Sequence, residues 1–215
     1  MRFDIITIFP HILDSYFNES ILKRAQEKKF ISVHIHDLRI WTSNKHRTVD
    51  DRPYGGGPGM ILKVEPIAKA LRAIKRKKKS RVILLDPAGK QFSQQAAKKY
   101  SKLDQLIFVC GRYEGFDERV KKYVDEKISI GPYVLSGGEL GAMVILEAVA
   151  RLKAGVLGNA ESLQEESHLI EGYIEYPQYT RPEVFDGRRV PSVLLSGDHK
   201  KIEEWQSRKR RSSIF

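Results

Sequence analysis

The chain has 215 residues, with 38 Lys+Arg against 27 Asp+Glu and a formal net charge of +11. Hydrophobic residues make up 41% and charged residues 30%, which excludes a fibrous or disordered chain, and no apolar run nears the roughly 20 residues that span a bilayer. The single cysteine, Cys110, excludes an internal disulfide and a cysteine-based zinc site, so the composition reads as a cytoplasmic protein drawn to polyanions. Asp4 and Pro10 bracket an apolar stretch too short for a signal peptide.

Apolar, β-branched runs alternate with helical patterns along the first 150 residues. Phe3 to Phe9 predicts a first strand, followed by a helical stretch from about His11 with Ile12, Leu13, Tyr16 and Phe17 on one face. Ile31 to His36 alternates as a second strand. Val64 to Arg76 is predicted helical, with Ile67, Ala70, Leu71 and Ile74 as its apolar stripe. It leads into Arg72 to Arg81, where seven of ten residues are basic; this block fits either a polyanion contact or a solvated helix end. Then come Val82 to Leu85, a helix at Gln94 to Tyr100, Leu106 to Cys110, a helix near Asp117 to Tyr123, Lys127 to Ile130, and a long helix from Glu139 to Leu152. Strands separated by helices of this length pair in parallel, so the fold class is α/β. Beyond Gly155 the chain turns polar, and a boundary is expected near residues 160 to 170. After it, Pro177, Pro182 and Pro191 precede an amphipathic helix at about Asp198 to Arg210.

Three glycine-bearing loops leave predicted strand ends: Asp86 to Gly89, Gly111 to Gly115, and Gly131 to Gly138. In open α/β sheets ligands bind at the carboxyl ends of the strands, and glycine lets the backbone approach them. None of the loops fits the dinucleotide or phosphate-loop patterns, so the expected ligand is adenosine-sized without being a dinucleotide or ATP. A fourth segment, Lys45 to Met60, mixes cations, the pair Asp50 and Asp51, and four glycines, a composition expected of a functional loop. Arg47 and Arg52 are suited to phosphates, and Asp50 or Asp51 to a base edge.

KHRTVDDRPYGGGPGM, VCGRYEGFDERV, SIGPYVLSGGEL, AVARLKAGVLG and YPQYTRPEVFDG occur in this order. Together they resemble the bacterial tRNA (guanosine(37)-N1)-methyltransferases, the TrmD family, from the first strand to about Trp205. The resemblance implies a SPOUT-type parallel sheet with a deep C-terminal trefoil knot, and a small, mainly helical C-terminal domain. On that pattern residues 1–160 form the methyltransferase domain, 161–172 a linker, and 173–215 a tRNA-binding domain that is short for the family. It further implies a homodimer with the active site at the subunit interface, S-adenosyl-L-methionine as methyl donor, tRNA as substrate, and magnesium as a transient ion only.

Carried onto matching positions, the resemblance assigns the cofactor to Leu85, Pro87, Gly89, Gly111, Tyr113, Glu114, Ile130, Gly131, Pro132, Tyr133, Val134, Leu135, Gly137 and Gly138. Glu114 would lie near the methionine end, or form an ion pair with Arg112. Contacts to tRNA are assigned to His46, Arg47, Asp50, Arg52, Ser162 and Arg181. Methylating ring nitrogen 1 of guanine requires a base for its proton and a cation for the charge that develops on the 6-oxygen. The family's arginine matches Arg151. Its aspartate base falls on Glu166, a glutamate whose extra methylene shifts the carboxylate, with Glu165 as the neighbouring alternative. Pro132 and Gly141 also stand where the family has aspartate and proline. Two other readings stay open: a SPOUT protein that binds RNA and cofactor with weak or lost catalysis, and a SPOUT methyltransferase acting on ribosomal RNA.

Overall fold

A computed structural model of the chain describes residues 1–158, 167–168 and 173–212. Contacts divide the chain into two units, Met1–Gly158 and Asn159–Phe215.

The first unit opens with β1 (Arg2–Thr7), the short helices α1 (Asp14–Phe17) and α2 (Ser20–Glu27), and β2 (Ser32–Asp37). A small ribbon, β3 (Asp50–Asp51) with β4 (Ile61–Leu62), precedes α3 (Val64–Ala73). There follow β5 (Ser80–Gln91), α4 (Gln94–Tyr100), β6 (Gln105–Val109), a 3-10 turn at Glu118–Tyr123, β7 (Glu126–Ser129) and α5 (Glu139–Ala150). The five long strands form one sheet in the order β2-β1-β6-β5-β7, and every pair in it is parallel. All carboxyl ends therefore share one edge.

The sheet is covered on both faces, which is why its central strands are continuous apolar runs. All five residues of β6 are buried. Phe3, Ile5, Ile83 and Phe108 pack on one face with residues of α1, α2, α4 and α5. Their neighbours Ile6, Val82, Leu84, Ile107 and Val109 point the other way, against Ile67, Ala70 and Leu71 of α3.

Asp4 is a fully buried exception in β1. Its carboxylate accepts from Arg2 (2.6 Å), His36 Nε2 (2.7 Å) and Gln105 Nε2 (2.8 Å). Burial pushes its pKa up, but the bonds from His36, Arg2 and Gln105 outweigh that and hold it below the ordinary 3.8. A carboxyl depressed in the folded state adds stability that is complete above its unfolded value and is lost as pH falls below it. Asp4→Asn is therefore expected to flatten the acid limb of a stability-against-pH curve below about pH 4. An unchanged limb in urea melts would remove Asp4 as its source.

Several expectations change in the structure. The helical stretch from His11 is two short helices rather than one. Helix α3 stops at Ala73, three residues before Arg76, because Ile74 turns extended and the backbone beyond it bonds elsewhere. Lys77 N donates to Gln105 Oε1 at 2.7 Å, and Asp104 N donates to Lys79 O at 2.8 Å. The Asp117–Tyr123 helix is a 3-10 turn capped by Asp117, whose Oδ1 accepts from Arg119 N at 2.9 Å.

The largest correction concerns Asp86 to Gly89. It does not leave a strand end; it is an excursion inside β5, which resumes pairing afterwards. Ile128 of β7 pairs with Leu85 before the excursion and with Lys90 after it.

The second unit contains α6 (Ser192–Leu195), α7 (His199–Lys209) and two ribbons, β8 (Tyr173–Ile174) with β11 (Arg211–Ser212), and β9 (Val184–Phe185) with β10 (Arg188–Arg189). Asp186 and Gly187, at φ 48° and 72°, close the second ribbon in the both-positive geometry of a type I′ turn. Asp198 caps α7 by accepting from Lys201 N at 3.2 Å. Tyr179 packs on Trp205 with ring centroids 6.3 Å apart.

Candidate active site

A cavity of about 370 Å³ opens at the carboxyl edge of the sheet, where β5, β6 and β7 lie side by side. Its wall comes from Leu84–Pro87, where β5 leaves the sheet, the Gly111–Lys121 segment and the Ile128–Gly138 connection. The volume lies within the range of about 300–1,000 Å³ typical of small-molecule sites.

The second and third loops are seamed together. Gly138 N donates to Gly111 O at 3.0 Å, and Arg112 pairs with Gly137 as an isolated antiparallel bridge. A Cβ on Gly138 would stand 2.9 Å from Cys110 Cα and from Leu85 Cβ, so no side chain fits there. Gly137 has a different neighbour: its Cβ would stand 2.3 Å from Arg112 Nε and 2.5 Å from Glu139 Oε2.

Those two groups form the polar clamp beneath the seam. Arg112 Nε donates to Glu139 Oε2 at 3.2 Å, and Thr7 Oγ1 donates to Glu139 Oε1 at 2.7 Å. Glu139 is only 2% exposed, at the first turn of α5, where the helix dipole favours an anion. The Arg112 guanidinium also lies 4.6 Å above the Phe9 ring. Arg112 thus pairs with Glu139 and not with Glu114. Among the described residues, Glu114 makes no ion pair.

Of the residues assigned to the cofactor, Leu85, Pro87, Gly111, Tyr113, Glu114, Ile130, Gly131, Tyr133, Val134, Leu135, Gly137 and Gly138 stand on the cavity wall. Gly89 and Pro132 do not. Gly89 answers a different need: a Cβ there would lie 2.6 Å from Ile128 N, because β5 re-enters the sheet against the β7 backbone. Asp86, Arg112, Phe116 and Gly141 line the wall as well and were not assigned. Asp86 pairs with Lys127 at 2.7 Å and accepts from Ala88 N; these bonds outweigh its burial and lower its pKa. Cys110, behind the seam, is fully buried, and burial, followed by the Glu139 charge, pushes its thiol pKa well up.

The Lys45–Met60 segment is docked on this wall. Glu114 N donates to Met60 O and Leu62 N to Gly115 O, both at 2.9 Å, and Asp117 N donates to Leu62 O at 2.9 Å. A Cβ on Gly59, which has φ +78°, would stand 2.5 Å from Glu114 Cγ. Val49 is fully buried, so the segment is anchored within the core as well. His46, Arg47 and Arg52 are exposed along it, while Asp50 is half-buried in β3. A hollow of about 360 Å³ adjoins it, walled by Asp51, Arg52, Tyr54, Lys63, Glu65, Asp117 and Arg119.

Arg151 is the C-cap residue of α5, half-buried and outside the cavity wall. Arg181 is exposed in the second unit. Ser162, Glu165 and Glu166 lie outside the described residues. Among the described residues no group of three or more His, Cys, Asp and Glu side chains could hold a metal, and no helix is long and apolar enough to cross a membrane.

Residues 1–214 match the family model described as tRNA (Guanine-1)-methyltransferase TrmD. A tRNA (guanine-N(1)-)-methyltransferase of Dictyoglomus turgidum is 53% identical over 215 residues, covering 100% of this chain and 87% of the relative. The enzyme of that name from Geobacter sp. (strain M21) is 51% identical over 212 residues, covering 98% and 85%. The one from Enterococcus faecalis is 50% identical over 209 residues, covering 96% and 85%.

Proposed function

The chain belongs to the tRNA (guanine-1)-methyltransferase TrmD family, and on that premise we propose that it methylates ring nitrogen 1 of guanosine-37 in tRNA, 3′ of the anticodon, using S-adenosyl-L-methionine. The observation that carries the cofactor assignment is the seamed glycine cavity at the carboxyl edge of the sheet. Its residues fit the group: the missing side chains of Gly111, Gly137 and Gly138 let the backbone of the wall approach an adenine edge closely, and Leu85, Ile130 and Leu135 offer apolar faces. Glu114 is the carboxylate available for an amino group. When bound, S-adenosylmethionine supplies an electrophilic methyl group.

The protein's own residues do the rest. Arg151 stabilises the charge that builds on the guanine 6-oxygen, as a fixed donor does at an oxyanion. Glu166 removes the proton from ring nitrogen 1. His46, Arg47, Asp50, Arg52, Ser162 and Arg181 hold the tRNA, with the arginines on phosphates. Magnesium acts as a transient ion accompanying the RNA.

The working unit in this reading is a cytoplasmic homodimer. Its support is apolar side chains left exposed: Leu140 and Val144, one turn apart on α5, and Ile12 and Tyr16 at the start of the chain's first helical stretch. The Tyr16 hydroxyl donates to Glu147 of α5, which ties Tyr16 to that helix. Tyr133 and Val134 at the cavity rim are exposed too, as expected where a second subunit completes the site. The reading includes a deep trefoil knot in residues 1–160, with the Gly111–Gly138 seam as its support, a linker at 161–172, and a tRNA-binding domain at 173–215.

The decisive experiment incubates the protein with radiolabelled S-adenosylmethionine and, in parallel, unmodified tRNA carrying consecutive guanosines at positions 36 and 37 or unmodified ribosomal RNA. Methyl incorporation confined to nitrogen 1 of guanosine-37 is the expected result. No incorporation, with cofactor binding intact, would leave a binding protein without catalysis. Label entering ribosomal RNA and not tRNA would favour that substrate instead.

A further inference from the structure

The basic block Arg72 to Arg81 has no part in the cavity, and its cations divide by residue type. The three arginines are engaged with the protein. Arg72 lies 5.5 Å above the Tyr123 ring, Arg76 donates to Asp125 at 2.8 Å, and Arg81 pairs with Glu126 at 3.3 Å. Lys75, Lys77, Lys78 and Lys79 are exposed, and among the described residues none of them makes an ion pair.

These lysines do not answer a helix dipole, because α3 ends at Ala73 and Ile74 is already extended. They sit instead on a loop whose backbone is pinned to the sheet. Gln105, fully buried, accepts from Lys77 N at 2.7 Å and donates through Nε2 to Lys75 O at 3.3 Å. Asp104 N and Gln105 N donate to Lys79 O at 2.8 and 3.2 Å. A loop ordered in advance gives up less freedom on binding than a mobile one. Its positive field is felt locally: the N-terminal ammonium has a lowered pKa, from burial first and then from Lys153 and Lys77, against Asp104.

The loop enters β5 at Ser80, which pairs with Gln105, the first residue of β6. It therefore stands at the amino edge of the sheet, opposite the cavity and about 17 Å from it along a five-residue strand. Lysines are point charges without the planar fork of arginine, and exposed lysines in series suit phosphates, where most nucleic-acid contacts fall.

We infer that Lys75, Lys77, Lys78 and Lys79 form a second RNA contact, binding the phosphate backbone of the tRNA at a stretch away from the methylated guanosine. The inference rests on tRNA being the substrate. Its position excludes the loop from the chemistry and assigns it to affinity alone.

The test replaces the four lysines together with glutamine and leaves Arg72, Arg76 and Arg81 in place. Binding of unmodified tRNA is measured against salt concentration, alongside kcat and KM for methylation. Each phosphate contact removed lowers the salt slope by about 0.7–0.9, so the loss of all four should make the slope shallower by about 2.8–3.6. KM for tRNA should rise, with kcat at saturating tRNA and cofactor affinity unchanged. A version with four arginines should restore the slope, since the charge is kept. An unchanged salt slope and KM would overturn the inference, and so would a fall in kcat alone. Retained cofactor affinity shows that the glutamine variant is folded; were it lost, the arginine variant and single replacements at Lys78 and Lys79 carry the test. If the wild type binds RNA with a lysine-dependent slope yet transfers no methyl group, the proposed function fails and this contact stands.

Discussion

Arg151→Ala is expected to lower kcat for tRNA methylation by about 10²–10³-fold, the loss that follows removal of one fixed donor from a developing oxyanion. Cofactor affinity should hold, because Arg151 caps α5 and stands outside the cavity wall. Arg151→Lys keeps the charge but loses the rigid fork of donors, so partial activity is expected. Glu166→Ala should cost about 10²–10⁴-fold and remove the rise of rate with pH that a general base imposes, while Glu166→Asp retains that rise. Near wild-type turnover in Arg151→Ala would take the arginine out of the chemistry. The same result in Glu166→Ala would pass the proton to another carboxylate, with Glu165 tested next.

The second large effect belongs to Glu139, a residue that touches neither proposed substrate. Glu139→Ala removes the acceptor for Thr7 Oγ1 and the partner of Arg112, leaving a guanidinium only 20% exposed without its anion. Breaking a buried pair from one side costs about 3–5 kcal/mol, a large share of the 5–15 kcal/mol that holds an ordinary domain together. Glu139→Gln keeps an acceptor for both neighbours and should lose much less. Because the clamp lies under the seam of the second and third loops, cofactor affinity should fall about tenfold or more in Glu139→Ala. Denaturant melts and calorimetric titration with S-adenosylmethionine measure the two effects. A stability loss below about 1 kcal/mol would mean that the pair is not what closes the seam.

These two residues mark how far the sequence could be read. Arg151 is reached by matching a motif, since a basic residue near a helix end is otherwise ordinary. Glu139 looks like nothing more than the start of a helix. Its importance comes from Thr7, which stands 132 positions away and meets it only because β1 lies under α5. The glycine loops were legible as ligand-binding segments, and most of their residues do meet at one cavity. Gly89 shows the limit: its glycine is demanded by the β7 backbone, a close approach that no spacing within its own loop announces.

Local pattern was sufficient for Gln94–Tyr100, where Ser93 caps the helix by accepting from Ala96 N and the apolar stripe fits one face. It overran at α3, where the apolar stripe continues to Ile74 but tertiary bonds from Gln105 and Asp104 draw the lysines into a loop. It also stopped short at β5, since a strand that leaves the sheet for four residues and returns looks like a strand followed by a turn.

What the amino-acid order determined on its own is the alternation of strands and helices, the parallel α/β class, the basic globular composition, and the motifs that mark the family. These are carried by side-chain period and by residues within a few positions of each other. What only the tertiary structure decided is which groups share a site: the Arg112–Glu139–Thr7 clamp, the docking of Gly59 and Met60 on Glu114, and the lysine loop at the edge opposite the cavity. Each of these depends on distant segments meeting in three dimensions, and the strand order β2-β1-β6-β5-β7 that brings them together is set by packing across the whole sheet.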